Sequence, residues 1–148
     1  SAMRRERQAG VTLIELVVVI CIMAILFTLT LPAYLRQLRD TRRSIGGAAL
    51  LEVVMRQEQF FLDHKRYAES LTELSYPAHP YAIDAHGFIV SGQADNRIYL
   101  IELATSARAY TVIATPQLDQ AADQSCGTLS LESSGVKRAT GRGDRSCW

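Results

Sequence analysis

The chain has 148 residues, 48% of them hydrophobic and 21% charged, with 16 basic and 15 acidic side chains for a formal net charge of +1. That length suits one domain with a modest core, and the near-neutral balance excludes a protein that attracts nucleic acid through a global basic field. The balance is uneven: in residues 1–10, Arg4, Arg5 and Arg7 face only Glu6, a net of +2, which leaves 13 basic and 14 acidic groups elsewhere, a net of −1.

The first element is a helix. Leu16 to Leu31 read LVVVICIMAILFTLTL, without charge, Gly or Pro. Taken as residues 11–34, the apolar segment is about 24 residues, or about 36 Å as a helix, enough to cross a bilayer. A buried helix of a soluble protein is rarely apolar all round for this length. A cleaved secretory signal competes, since basic residues precede the run, but the run is long and no A-x-A site follows. A retained anchor is expected. Charge does not orient it, because Arg36, Arg39, Arg42 and Arg43 follow the span and offset the arginines before it.

Glu15 stands just inside this run, where an ionised carboxylate at mid-membrane costs about 2.5–3.5 kcal/mol on insertion scales. Thr12-Leu13-Ile14-Glu15 also fits a capping box, which would satisfy two amides at the helix start. Pro32 lies within the helical pattern and is expected to kink it. Beyond it, Ala49/Leu50, Val53/Val54 and Phe60/Phe61 recur at helical spacing, so an amphipathic half is expected to run to about residue 63 and pack on a sheet. Gly46-Gly47 reads as a flexible weak point in that half.

A loop with a short helix over 70–74 follows. Strands are expected over 81–84 with 87–91, then 97–103, 109–115 and 128–132, separated by turns. A helix followed by consecutive strands indicates an α+β unit with an antiparallel meander. Cys21 lies in the apolar run and reads as a small hydrophobe. Cys126 and Cys147 bracket a polar, Gly-rich stretch and suit a disulfide in an oxidising compartment better than a zinc site, which lacks further local ligands. Closing a loop of about 20 residues stabilises by about 3 kcal/mol in the chain-entropy model. The pair places the head on the oxidising side of the membrane.

No enzyme constellation, cofactor motif or metal motif emerges. His64, His79 and His86 are scattered, without HExxH spacing, and read as surface or turn residues. Asp119 and Asp123 do not make the oxygen ladder of a calcium loop. Lys137, Arg138, Arg142 and Arg145 cluster between the cysteines, opposed locally by Asp144. Such a loop is usually solvated, and apart from Trp148 it lacks aromatic platforms for bases.

The stretch RRERQAG-VTLIELVVVICIMAILFTLTLPAY resembles the amino terminus of type IV pilin precursors. In that family a short basic leader ends in Gly, here Gly10. The next residue, here Val11, becomes the new amino terminus, with Glu at the fifth mature position, here Glu15, and Pro at the twenty-second, here Pro32. Val11 replaces the usual Phe, and Ala24 stands where many pilins carry a helix-loosening Gly. The region from Gly46 to Leu74, YTVIATPQ and the cysteine-bounded tail are similar to PilE-type minor pilins of type IVa pili, so the likeness covers nearly the whole chain.

The resemblance implies the pilin fold: a long amino-terminal helix, half membrane-spanning and half amphipathic, packed on an antiparallel sheet. It implies a leader (1–10), a membrane and assembly helix (11–34), and a periplasmic head (35–148) closed by a disulfide loop (126–147). It further implies cleavage after Gly10 and N-methylation of Val11 by the prepilin peptidase, with Glu15 meeting the ammonium of a neighbouring subunit. The implied partners are other major and minor pilins, the peptidase, the inner-membrane assembly platform and, before assembly, membrane lipid. The implied location is the bacterial inner membrane, single-pass, and then an extracellular pilus. The expected function is a minor pilin that primes or joins pilus assembly. The alternatives are a DNA-binding pilin using Lys137, Arg138, Arg142 and Arg145, and a secretion pseudopilin, which the missing calcium loop and the cysteine pair disfavour.

Overall fold

The protein is described by a computed structural model that covers residues 9–142 and 147–148. The first element is helix α1, Leu13–His64, and the chain divides into two compact units, one ending at Gln37 and the other Leu38–Trp148.

In the first unit all side chains of residues 11–34 are exposed. Two polar groups in this stretch are satisfied locally. The Thr28 hydroxyl donates to the Ile25 carbonyl at 2.7 Å and the Thr30 hydroxyl to the Leu26 carbonyl at 2.9 Å. That back-bonding makes threonine compatible with an apolar surrounding. Pro32 sits inside α1, where its missing N–H leaves the Thr28 carbonyl without its regular helical donor. Among the described residues α1 is the helix long and apolar enough to cross a membrane.

In the second unit α1 buries Gly46, Leu50, Val53 and Gln57, a stripe with the three- and four-residue spacing of one helix face. It packs on an antiparallel sheet of six strands among the described residues, in the order β2-β1-β3-β4-β5-β6. These are β1 Tyr81–Asp84, β2 Ile89–Val90, β3 Arg97–Thr105, β4 Tyr110–Pro116, β5 Leu129–Glu132 and β6 Lys137–Ala139. Alternate residues fill the core: Tyr99, Ile101 and Leu103 from β3, Tyr110, Val112 and Ala114 from β4, Leu129 and Leu131 from β5. Buried Gln57 is fully used: its amide donates to the Ala68 carbonyl at 2.9 Å and its oxygen accepts from the Ala68 N–H at 2.8 Å. It thereby ties the loop after α1 to the helix.

The 81–84 strand has its expected bounds, the strands over 97–103, 109–115 and 128–132 are present with ends shifted by one or two residues, and three local expectations change. The 70–74 helix is a single 3₁₀ turn, Thr72–Leu74. The 87–91 strand shortens to two residues, because Asp84 takes the backbone N–H groups of His86 and Phe88 at 2.9 and 3.0 Å and holds a turn there. Gly46 is a packing residue and not a flexible spot: a Cβ there would lie 2.9 Å from the ring of Tyr99, which is fully buried.

Gly47 differs, since its Cβ would meet only the Trp148 ring at 3.6 Å. Alanine at either site gains about 1 kcal/mol of helix propensity, but overpacking a tight core costs about 1–3 kcal/mol. Gly46→Ala is therefore expected to lower the denaturant midpoint and Gly47→Ala to hold or raise it. Equal midpoints for the two variants would remove the packing role of Gly46.

Candidate assembly helix and carboxy-terminal edge

At the helix start Gly10 and Val11 are exposed and precede regular structure. Thr12 caps α1: its hydroxyl accepts from the Glu15 N–H at 3.3 Å, and its carbonyl accepts from the Leu16 N–H at 3.1 Å. The return arm of a capping box is missing, because the Glu15 carboxylate makes no hydrogen bond or ion pair among the described residues. The carboxylate is thus exposed and available to a cation from outside the chain.

At the other end Cys126 and Cys147 form a disulfide, with their Cα atoms 5.6 Å apart, and Cys21 carries none. Residues 127–142, which follow Cys126, are more regular than their composition suggests. ESSG makes a turn, with Gly135 at φ +88° and its N–H donating to the Glu132 carbonyl at 2.8 Å. The turn returns the chain as β6, which pairs Lys137 with Leu131 and Ala139 with Leu129. Gly141 runs so close to Ser125 that a Cβ would overlap its backbone, and the Gly141 N–H donates to the Cys126 carbonyl at 2.8 Å.

Strand alternation divides the basic cluster. Lys137 shares the core-side face with Leu131, and its ammonium lies 5.5 Å from the Trp148 ring centre. Arg138 takes the opposite face beside Ser130 and pairs with Glu132 at 2.8 Å. The Trp148 indole N–H donates to the Arg138 carbonyl at 3.1 Å, covering part of the β6 edge. Arg142 is exposed beyond β6, with its backbone N–H on the Gln124 carbonyl at 3.2 Å. Arg145 lies outside the described residues, as do Arg4, Arg5 and Arg7.

Asp123 is the residue with the most consequential contact that sequence reasoning did not assign. Its two oxygens take the Arg43 guanidinium at 2.9 Å each, tying α1 to the segment before Cys126. The side chains are 3% and 12% exposed, and the hydrogen bonds to Asp123 hold the Arg43 pKa above its ordinary value. Burial raises the phenols as well, with Tyr76 pushed up to about 12 and Tyr81 and Tyr110 higher still. The histidines play local parts: His64 stacks on Phe60, His79 Nδ1 accepts from the Leu71 N–H at 3.1 Å, and His86 is exposed. No group of three metal-ligating side chains occurs among the described residues.

Residues 5–31 match the prokaryotic N-terminal methylation motif. Residues 32–130 match the family described as type IV minor pilin ComP, DNA uptake sequence receptor. The chain belongs to this family of type IV pilins. A solved type IV pilin from Shewanella oneidensis is 19% identical, with a TM-score of 0.50 over 74% of this chain and 97% of that one, a likeness of fold. No curated protein matches the chain. Type IV pilins are structural proteins, and the methylation motif with the apolar helix fits a membrane-anchored pilin that assembles with other pilins.

Proposed function

We propose that this minor pilin is cleaved between Gly10 and Val11 by the prepilin peptidase, methylated at Val11, and drawn by the assembly platform from the inner membrane into a pilus. In this proposal residues 1–10 are the leader, 11–34 the anchor and assembly helix with its bend at Pro32, and 35–148 the periplasmic head. The observation that carries it is the exposed apolar helix with Glu15, unpaired among the described residues, five residues after Gly10. An isolated carboxylate in a low-dielectric stem is favourable only with a cation, and the ammonium of a neighbouring Val11 supplies one. Mass spectrometry of the protein in sheared pili should find N-methyl-Val11 as its first residue. An intact leader on protein in pili would overturn the proposal.

A second function is favoured by the family match, whose description names a DNA uptake sequence receptor. In that case the exposed cations Lys137, Arg138 and Arg142, with Arg145, supply phosphate contacts. Each lost contact lowers the salt slope of duplex binding by about 0.9. Arg138→Ala with Arg142→Ala should therefore weaken duplex DNA binding by the full-length protein in detergent and lower the slope by about 2. An unchanged affinity and slope would remove these residues from any DNA contact.

A further inference from the structure

Residues 36–43 hold four arginines, Arg36, Arg39, Arg42 and Arg43, against one acid, Asp40. In the proposed topology they stand on the translocated side of the anchor, against the usual bias that keeps basic residues on the cytoplasmic side. Two of them answer to acids of the head. Arg43 is held by Asp123 at 2.9 Å and lies 3.2 Å from Asp40. Arg42 lines a cleft with Asp84, Asp95 and Asp119. The other two do not. Among the described residues the guanidinium groups of Arg36 and Arg39 have no hydrogen bond or ion pair. Arg39 is engaged through its backbone, whose carbonyl accepts from the Gln120 amide at 3.1 Å. Arg36 is exposed and Arg39 half-buried.

Their place along α1 sets what they can meet. Arg36 and Arg39 follow Tyr34 by two and five residues, or about 3 and 8 Å of helix rise. Tyr34 is 63% exposed, and an exposed tyrosine at the end of an apolar span marks the headgroup level. The polar layer outside the hydrocarbon is about 5–8 Å thick on each side. Each guanidinium, on its flexible stem, therefore reaches phosphate depth. A guanidinium takes a phosphate through two parallel N–H···O bonds. A zwitterionic headgroup supplies that phosphate with a cation attached, which offsets the attraction. An anionic headgroup supplies it without one. Asp40 does not cancel these charges, because it already faces Arg43.

We propose that Arg36 and Arg39 each hold the phosphate of an anionic phospholipid in the outer leaflet of the membrane that anchors the chain. This role rests on the anchor proposed above and names the lipid it selects. The apolar stem is indifferent to headgroup charge, and the two arginines make the unassembled subunit selective for it. Both contacts break when the subunit leaves the bilayer, so anionic lipid opposes its extraction.

The full-length protein is first floated with neutral phosphatidylcholine vesicles on a density gradient. Flotation is expected, and protein left at the bottom would withdraw the anchor and this role with it. In phosphocholine micelles, ¹H–¹⁵N NMR titration with dihexanoyl phosphatidylglycerol should then shift the Arg36 and Arg39 Nε–H signals saturably, and dihexanoyl phosphatidylcholine should not. Arg36→Gln and Arg39→Gln should each weaken phosphatidylglycerol binding about fivefold, the factor for about 1 kcal/mol per arginine at an anionic surface. Arg39→Lys keeps the charge and should recover most of that loss, while Arg42→Gln should leave the affinity unchanged. Should Arg39→Gln lose the wild-type β3–β4 amide pattern, Arg36→Gln, outside the head, decides alone. Flotation with equal responses to the two lipids, or unchanged affinity in the glutamine variants, would overturn the headgroup role and leave the anchor standing. Glycerol phosphate and a short DNA duplex, at the same phosphate concentration, separate the lipid from a free phosphate or a nucleic acid. A response to either as strong as that to phosphatidylglycerol would overturn the role as well.

Discussion

Asp123→Ala is expected to destabilise the head by about 3 kcal/mol, toward the lower end of the range for breaking a buried ion pair from one side. The pair is bidentate, with both N–O distances 2.9 Å, and Asp123 is 3% exposed. Removing the carboxylate leaves a guanidinium that is only 12% exposed facing an apolar methyl group. Asp40 lies 3.2 Å from the same guanidinium but is 58% exposed, so it offsets only part of the loss. Asp123 also fixes the approach to the disulfide, since its carbonyl accepts from the Gly127 N–H at 2.8 Å. The double variant Arg43→Met, Asp123→Leu should lose less than Asp123→Ala, because replacing both ions with apolar groups leaves no charge stranded. Denaturant midpoints of the three proteins decide this. A single variant within about 1 kcal/mol of wild type would show that water reaches Arg43 and that the pair is not structurally important.

That ion pair marks where the sequence stops being informative. Arg43 and Asp123 are 80 positions apart, and no spacing rule links a helix arginine to an aspartate just after a 3₁₀ turn. The long elements are legible because each repeats one physical signal many times. The apolar run has no polar interruption, the buried face of α1 recurs at helical spacing, and β3 and β4 alternate. Short elements lack such redundancy. β6 is three residues, Lys-Arg-Ala, and is a strand because the Gly135 turn aims it at β5, a tertiary cause with no periodic signature. Gly46 misleads for a related reason: glycine in a helix suggests weakness in isolation, whereas here it makes room for the Tyr99 ring.

The residues proposed to carry function divide in the same way. Gly10, Val11, Glu15 and Pro32 sit at fixed spacing along one continuous segment, so their pattern is legible from residue order alone. The basic cluster is legible too, but its geometry is not: period-two alternation sends Lys137 and Arg138 to opposite faces.

Glu15→Gln is expected to leave membrane insertion and leader cleavage intact while sharply lowering the share of the protein found in pili. The cap contributes little to the outcome. Thr12 accepts from the Glu15 backbone N–H, which glutamine retains, and the Glu15 carboxylate takes no part in the cap. Even complete loss of a cap costs only about 1 kcal/mol. Size and hydrogen-bonding shape are nearly preserved, so the change isolates charge. If a neighbouring Val11 ammonium seeks the carboxylate, the substitution leaves that cation unpaired in an apolar stem, where breaking one side of a buried pair costs about 3–5 kcal/mol. By mass action about 3 kcal/mol corresponds to a roughly hundredfold lower occupancy of the assembled state, since each 1.4 kcal/mol is about a factor of ten. The measurement is the ratio of protein in sheared pili to protein in membranes, for variant and wild type expressed equally. Glu15→Asp keeps the charge on a shorter side chain and should recover part of the ratio, which a purely steric role would not predict. Equal ratios for wild type and Glu15→Gln would withdraw the ammonium pairing.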